Sequence, residues 1–181
     1  MSEIIQHNFE TIKPVSVFTT TIVNSNMTDK LVEQIKKTGD KQDHKTNVKA
    51  YMTDWNMLSL PGFDELEKHI ISIIKFLSKQ YYRRDIQPKI SDMWGMIYNK
   101  GNYAITHDHW PALWSFAYYL NAPKDAPGLF FPDMGEQGGE RKLEPGLLIM
   151  FEGNIKHAVR QAKYKGDRYV VSGNLHEVLN D

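Results

Sequence analysis

The sequence predicts a mainly β fold, a barrel or sandwich with α-helices packed outside one sheet. After Pro88, short apolar or alternating runs follow one another, separated by Gly, Pro and Asn, which is typical of the strands of a barrel or sandwich. Before residue 86 the apolar side chains recur instead with helical spacing. A single domain is expected, because 181 residues can bury one substantial core but are few for two full domains.

The first part of the chain, residues 1–86, is predicted to hold one strand and two supporting helices. Residues 14–23 are rich in β-branched side chains and predict the strand. Ser25 offers a cap for a following helix that carries Leu31 and Ile35. From Phe63 to about residue 82, apolar side chains recur at intervals of three and four, which predicts the longest helix.

The second part, residues 87–178, is predicted to be the β core. Six strands are expected, each bounded by turn residues. They cover residues 90–98, 114–120, 129–131, 147–151, 157–162 and 169–175.

Composition excludes several classes of function. Lys plus Arg and Asp plus Glu both number 22, so no net charge draws the chain to nucleic acid or to an anionic membrane. The absence of cysteine excludes disulfides, thiolate zinc sites and a cysteine nucleophile. The beginning of the sequence lacks the pattern of a signal peptide, and no apolar run is long enough to span a bilayer. The expected location is therefore the cytoplasm.

His107 and His109 form the most informative motif. Side chains at i and i+2 point the same way on a strand, so the two histidines can hold one metal together with a third from a neighbouring strand, for which His157 is the candidate. Asp108 points to the opposite face of a regular strand. We therefore expect Asp108 to face solvent or to support the ligands from behind, and the pattern indicates a metal enzyme.

Tryptophan residues bracket this motif. Aromatic side chains on barrel strands are more often core than pocket residues, so Trp94 and Trp114 are expected in the core. Trp110 follows the histidine pair directly and is the best candidate for the mouth of the pocket.

Further motifs surround the histidines at regular intervals. Arg168 lies on the last predicted core strand, followed at even spacing by Ser172. The remaining motifs are Tyr98-x-x-Gly101-x-Tyr103, Tyr118-Tyr119-Leu120-Asn121, Gly128-Leu129-Phe130-Phe131-Pro132 and Pro145-Gly146 before the run that leads to His157.

The order and spacing of these motifs, over roughly residues 90–176, resembles the 2-oxoglutarate and Fe(II)-dependent oxygenases. The resemblance is to the prolyl-hydroxylase-like branch and its small members from phages and marine bacteria. It implies a double-stranded β-helix, also called a jelly-roll or cupin-like barrel, with iron at one open end. It also implies that residues 1–181 are a single oxygenase domain, located in the host cytoplasm if a phage encodes it.

By this resemblance, His107, His109 and His157 are the iron ligands, the first two at the end of one strand and the third on the strand after Pro145-Gly146. Arg168 is expected to pair with the distal carboxylate of 2-oxoglutarate, a task that suits a planar and permanently charged guanidinium. Further cosubstrate contacts are expected from Tyr119, Ser172 and Tyr98.

The implied reaction uses 2-oxoglutarate and O2 to hydroxylate an unidentified substrate, with release of succinate and CO2. Analogy of fold suggests a protein or peptide side chain as substrate. Exposed edge strands of such barrels often pair, so a homodimer is one expectation.

His109 departs from the family pattern, which places a carboxylate two residues after the first histidine. A neutral imidazole there leaves the site one unit more positive. Two alternatives therefore stay open: a cupin-type three-histidine metal protein without catalysis, and a dioxygenase that does not use 2-oxoglutarate. Arg168 discriminates between them and the oxygenase, because only the oxygenase needs a cation facing the metal.

Overall fold

The computed structural model describes residues 17–38 and 46–178. Within these ranges, two α-helices and the strands of two sheets alternate along the chain. The elements are β1 (Val17–Thr21), α1 (Ser25–Thr38), β2 (Val48–Lys49), β3 (Tyr51–Met52), α2 (Phe63–Tyr81), β4 (Pro88–Tyr98), β5 (Tyr103–His107), β6 (Trp114–Tyr119), β7 (Leu129–Phe130), a 3-10 helix (Pro132–Gly138), β8 (Leu147–Glu152), β9 (His157–Val159) and β10 (Arg168–Glu177).

The strands form two antiparallel sheets. The larger sheet has the order β1-β8-β6-β10-β4-β3, and the smaller one has the order β2-β5-β9-β7. Apolar side chains from both sheets meet in one buried cluster, so the sheets face each other across a common interior. The predicted mainly β architecture is confirmed.

The helices cover the outer face of the larger sheet. On β6, Phe116 and Tyr118 pack with the helical side chains, whereas Ala117 and Tyr119 point to the interior between the sheets. This alternation follows from the period of two along a strand. Because β6 lies inside the larger sheet and both its faces are covered, all six of its residues are buried.

The strand pattern differs from the prediction mainly in the short strands. The three strands β2, β3 and β5 were not among the predicted runs, because β2 and β3 have only two residues each and only one residue of β5 is buried. The predicted strand at 157–162 ends at Val159. Residues 14–16 of the first predicted strand lie outside the described residues. No helix in the described part of the chain is long and apolar enough to cross a membrane.

At Gly95 on β4, the side chain of Ile35 on α1 lies close against the backbone of the larger sheet. A Cβ atom at this position would lie 2.3 Å from Cγ1 of Ile35. Ile35 is fully buried, and as a β-branched residue in a helix it has few alternative rotamers. We therefore expect Gly95→Ala to lower the free energy of unfolding in urea by about 1–3 kcal/mol. Combining it with Ile35→Ala should recover part of that loss in a double-mutant cycle; strictly additive effects would contradict this account of the contact.

Candidate metal centre and adjoining cavity

Three histidines converge where the smaller sheet ends. His107 is the last residue of β5 and lies opposite His157, the first residue of β9. His109 lies two residues beyond β5, and its backbone N–H donates to the carbonyl oxygen of Gly153 at 2.7 Å. One ligand atom from each imidazole lies within 4.8 Å of the other two. The three side chains can therefore hold a single metal ion.

The local backbone corrects two details of the prediction. The strand ends at His107, so His109 is brought to the site by the loop after β5 and not by the strand pleat. Pro145 and Gly146 lead into β8, and His157 opens the next strand, β9.

Hydrogen bonds fix which ring nitrogen faces the cluster. Nδ1 of His107 lies 2.7 Å from the carbonyl oxygen of Ile105, and Nδ1 of His157 lies 3.0 Å from that of Ile155. A carbonyl oxygen only accepts, so these Nδ1 atoms carry the hydrogen and leave Nε2 with its lone pair. Such bonds commonly orient the histidine ligands of a metal.

Burial keeps the three imidazoles neutral. Burial is the main cause of a lowered pKa in all three: it lowers the pKa of His107, and it lowers the pKa of His109 to about 4 and that of His157 to about 3 together with the neighbouring imidazoles. At neutral pH all three are in the form that binds a metal.

Asp108 does not belong to the histidine cluster. Its side chain is exposed, and Oδ1 accepts a hydrogen bond from the backbone N–H of Trp110 at 3.2 Å. Asp108 is exposed to solvent, as expected, but it also lines the cavity beside His107 and His109.

A cavity of about 280 Å³ adjoins the histidines and separates the two sheets. All seven predicted site residues line it: His107, His109, His157, Arg168, Tyr98, Tyr119 and Ser172. Between them the wall is largely apolar, with contributions from Leu129, Phe151, Val159 and Val170.

Arg168 is buried in the wall of this cavity, and no carboxylate of the described residues forms an ion pair with it. The side chain is 1% exposed, and neither Nε nor Nη1 has a hydrogen-bond partner among the described residues. The guanidinium carbon lies 4.3 Å from the ring centroid of Tyr98 and 5.6 Å from that of Tyr119. Ring faces offset only part of the cost of burying a charge. The free N–H groups therefore mark a place for an anionic ligand.

Hydroxyl groups accompany the guanidinium. Tyr98 lies opposite Arg168 in the pairing of β4 with β10, and Ser172 lies four residues further along β10 and lines the cavity with Arg168. Burial raises the pKa of Tyr98 and of Tyr119, and the Arg168 charge opposes this only in part. Both phenols therefore remain protonated donors at neutral pH.

Trp94 lies in the buried core between the two sheets, as predicted, and also lines the cavity. Its ring is 3% exposed, contacts the ring of Trp55 edge-on at 4.6 Å, and its Nε1–H has no partner among the described residues. The even spacing of Trp94, Met96 and Tyr98 along β4 places all three on the cavity side and is the signal that could have found it. Trp114 lies in the core as predicted.

Comparison with known proteins identifies the fold. No protein-family model and no curated protein matches the sequence. Among solved structures, the chain is similar to the viral collagen prolyl hydroxylase of Paramecium bursaria Chlorella virus-1 in its 2-oxoglutarate complex, with 19% identity and a TM-score of 0.67 over 90% of this chain and 96% of that one. A prolyl-4-hydroxylase from Pseudomonas putida matches with 14% identity and a TM-score of 0.65, over 88% and 91%.

The chain has the fold of the 2-oxoglutarate and Fe(II) oxygenases. The predicted resemblance and the predicted double-stranded β-helix are thereby confirmed. Another oxygenase-fold match, HygX from Streptomyces hygroscopicus with nickel and 2-oxoglutarate bound, shares 9% identity with a TM-score of 0.65 over 89% of this chain and 82% of that one. At these identities the likeness concerns the oxygenase fold, and the roles of individual residues stay predictions.

Proposed function

We propose that this protein is an Fe(II)- and 2-oxoglutarate-dependent dioxygenase that hydroxylates a substrate with release of succinate and CO2. One observation carries the proposal: the buried guanidinium of Arg168, with two unpartnered N–H groups, shares a cavity with three neutral histidines. A metal site alone does not require this costly cation. A keto acid that reaches from the metal to Arg168 does.

The histidines suit the metal. His107, His109 and His157 would bind it through ring nitrogens, and three protein ligands leave further positions open for cosubstrate and oxygen. Their neutral state means that a metal displaces few protons on binding.

The opposite part of the cavity suits the keto acid. The fork of Arg168 would pair with the distal carboxylate, and the hydroxyl groups of Tyr119, Ser172 and Tyr98 would add donors. When bound, Fe(II) and 2-oxoglutarate supply the oxidising chemistry with O2. This chain's own contribution is to orient the cosubstrate, to exclude water with the apolar wall and to shape the entrance for the substrate.

His109 supports a second candidate function. A third imidazole in place of a carboxylate also fits a three-histidine metal protein or a dioxygenase that binds its substrate directly to the metal. Neither of these uses the unpartnered guanidinium of Arg168. We therefore prefer the keto-acid oxygenase.

A peptide or protein side chain is the kind of substrate that we propose. The chain is similar in fold to a prolyl hydroxylase from Trichoplax adhaerens solved in complex with a peptide fragment of hypoxia inducible factor, with 14% identity and a TM-score of 0.62 over 88% of this chain and 82% of that one. A cytoplasmic location and a homodimer stay expectations from the sequence.

Succinate formation tests the proposed function. Purified protein is supplied with Fe(II), 2-oxoglutarate and air, and succinate is measured with and without candidate substrates. We expect slow uncoupled turnover by the wild-type protein and none by His157→Ala. A protein with confirmed iron that neither binds 2-oxoglutarate nor consumes it would contradict the proposal.

Tyr119→Phe is expected to weaken 2-oxoglutarate binding by about tenfold, because it removes one hydroxyl donor to a charged carboxylate. Metal affinity should not change, since Tyr119 is not part of the histidine cluster. Tyr118→Phe is the matched control, because the Tyr118 hydroxyl donates to the Ile22 carbonyl oxygen on the other side of the sheet. Equal effects of the two changes on 2-oxoglutarate affinity would contradict the assignment of Tyr119.

A further inference from the structure

A shallow depression, here called the mouth, adjoins the metal cavity. It shares Trp55, Asp108 and His109 with the cavity. Beyond these residues its lining includes Trp110, Asp92 and His176. Because the mouth and the cavity have three lining residues in common, a substrate that reaches the metal site from this side passes over the mouth.

Two indole rings at the mouth are exposed to solvent. Trp110 is 74% exposed and Trp55 is 41% exposed. Indole rings are normally buried in large part, so an exposed pair beside a cavity indicates a contact surface for a ligand. Indole faces attract cations more strongly than the other aromatic side chains.

Two carboxylates share the mouth with these rings. Asp92 is held in place by hydrogen bonds from Asn174 Nδ2 at 2.7 Å and from Ser91 Oγ at 2.8 Å. Asp108 accepts only the Trp110 backbone N–H among the described residues. No lysine or arginine lines the described mouth. Rings and carboxylates together form the type of surface that binds ammonium or guanidinium groups.

An unpartnered donor indicates that the ligand also carries an acceptor. The buried Trp94 lines the cavity beside Trp55, and its Nε1–H has no partner among the described residues. A buried N–H without an acceptor is costly. The carbonyl oxygen of a peptide bond next to a cationic side chain would supply that acceptor.

We infer that the substrate presents a cationic side chain, lysine or arginine, on a peptide backbone at this mouth. The inference rests on the proposed function for the charge of the loaded site. A metal dication, a dianionic keto acid and Arg168 give the cavity one net positive charge, and Asp92 and Asp108 turn the total to one negative charge. A substrate cation completes the neutralisation.

The four tryptophans of the chain provide a direct readout. The protein, loaded with Zn²⁺ and 2-oxoglutarate so that no turnover occurs, is titrated with four capped pentapeptides that carry Lys, Arg, norleucine or Glu at the centre of a glycine sequence. Indole 15N–1H resonances are followed by NMR. We expect the lysine and arginine peptides to shift the indole resonances of Trp55, Trp94 and Trp110 but not that of Trp114 in the core. The peptide that binds more tightly identifies the preferred cationic side chain.

Matched variants localise the binding. Asp108→Asn keeps an acceptor oxygen for the Trp110 N–H, and Asp92→Asn keeps one for Asn174 Nδ2 while its amide N–H can donate to Ser91 Oγ. Each change should weaken binding of the cationic peptides by about fivefold or more. Asp133→Asn, on the 3-10 helix outside the mouth, should have no effect. Binding of norleucine or Glu peptides as tight as that of the cationic ones, insensitivity to both Asp changes, or no indole shift with any peptide would each overturn the inference.

Titrating the Zn²⁺-loaded protein with 2-oxoglutarate, and repeating the peptide titrations without 2-oxoglutarate, separates this inference from the proposed function. Peptide binding without any 2-oxoglutarate binding would contradict the proposed oxygenase but leave the proposed binding of a cation at the mouth supported. Binding of 2-oxoglutarate without discrimination among the peptides would do the reverse.

Discussion

Replacing Arg168 with methionine is expected to weaken 2-oxoglutarate binding by at least about 100-fold and, at the same time, to stabilise the free protein by about 1–3 kcal/mol. The affinity falls because the variant lacks the bidentate partner of the distal carboxylate. The stability rises because the change removes a buried cation that has no anionic partner among the described residues, and methionine fills a similar volume with an apolar side chain. A binding site that costs stability in this way is common at functional positions.

Urea unfolding with and without 2-oxoglutarate measures both effects. Arg160→Met is the control, since the Arg160 side chain is 66% exposed and its ion pair with Glu140 is long, at 3.9 Å. We expect this control to change the free energy of unfolding by no more than about 0.5 kcal/mol. An Arg168→Met protein that is strongly destabilised and still binds 2-oxoglutarate would show that the guanidinium has a structural partner instead of a ligand.

Replacing His157 with alanine is expected to lower Fe(II) affinity by more than about 100-fold, because even groups that only support metal ligands change affinity 10- to 100-fold. His157 is the most buried of the three histidines, and its Nδ1 is held by the Ile155 carbonyl oxygen. The lost metal also removes its contribution to the stability of the folded chain.

Anaerobic titration of the protein with Fe(II), followed by calorimetry, measures this loss. His69→Ala is the control, because His69 lies exposed on α2 and is not part of the cluster. An unchanged Fe(II) affinity in His157→Ala, or an equal loss in His69→Ala, would contradict the assignment of His157 as a metal ligand.

Much of the architecture and of the candidate site could be predicted from the sequence because both depend on local patterns. The period of two along β4, β6 and β10 sets which side chains face the interior. His107 and His157 lie opposite each other on the paired strands β5 and β9. The strands β2 and β3 were not predicted, because two residues are too few to show the alternation of side chains that is typical of a strand.

The mouth could not be predicted for a different reason. Trp55, Asp92 and Trp110 are far apart in the sequence and meet only through the packing of three separate segments. The sequence predicts Trp94 as a core residue because its neighbours on β4 are apolar. Whether its Nε1–H has a hydrogen-bond partner depends on the surrounding side chains, which only the structure shows. The proposed metal ligands can be recognised from their residue type, whereas the proposed substrate contacts are common residue types whose role depends on their position in the fold.

The unusual third histidine makes the charge of the centre the main chemical question. With a carboxylate ligand, a site of this kind would carry one unit less positive charge. Here the nearest carboxylate in sequence, Asp108, faces the mouth and lines both the mouth and the cavity. It is placed to moderate the charge of the site without binding the metal.

Anaerobic titration of the Fe(II)-loaded protein with 2-oxoglutarate shows whether the histidine cluster and Arg168 form one cosubstrate pocket. We expect the wild-type protein to bind 2-oxoglutarate only when the metal is present, and we expect Arg168→Met, loaded with the same metal, not to bind it. A wild-type protein that holds iron through its three histidines and fails to bind 2-oxoglutarate would contradict the account and leave the three-histidine metal protein in its place.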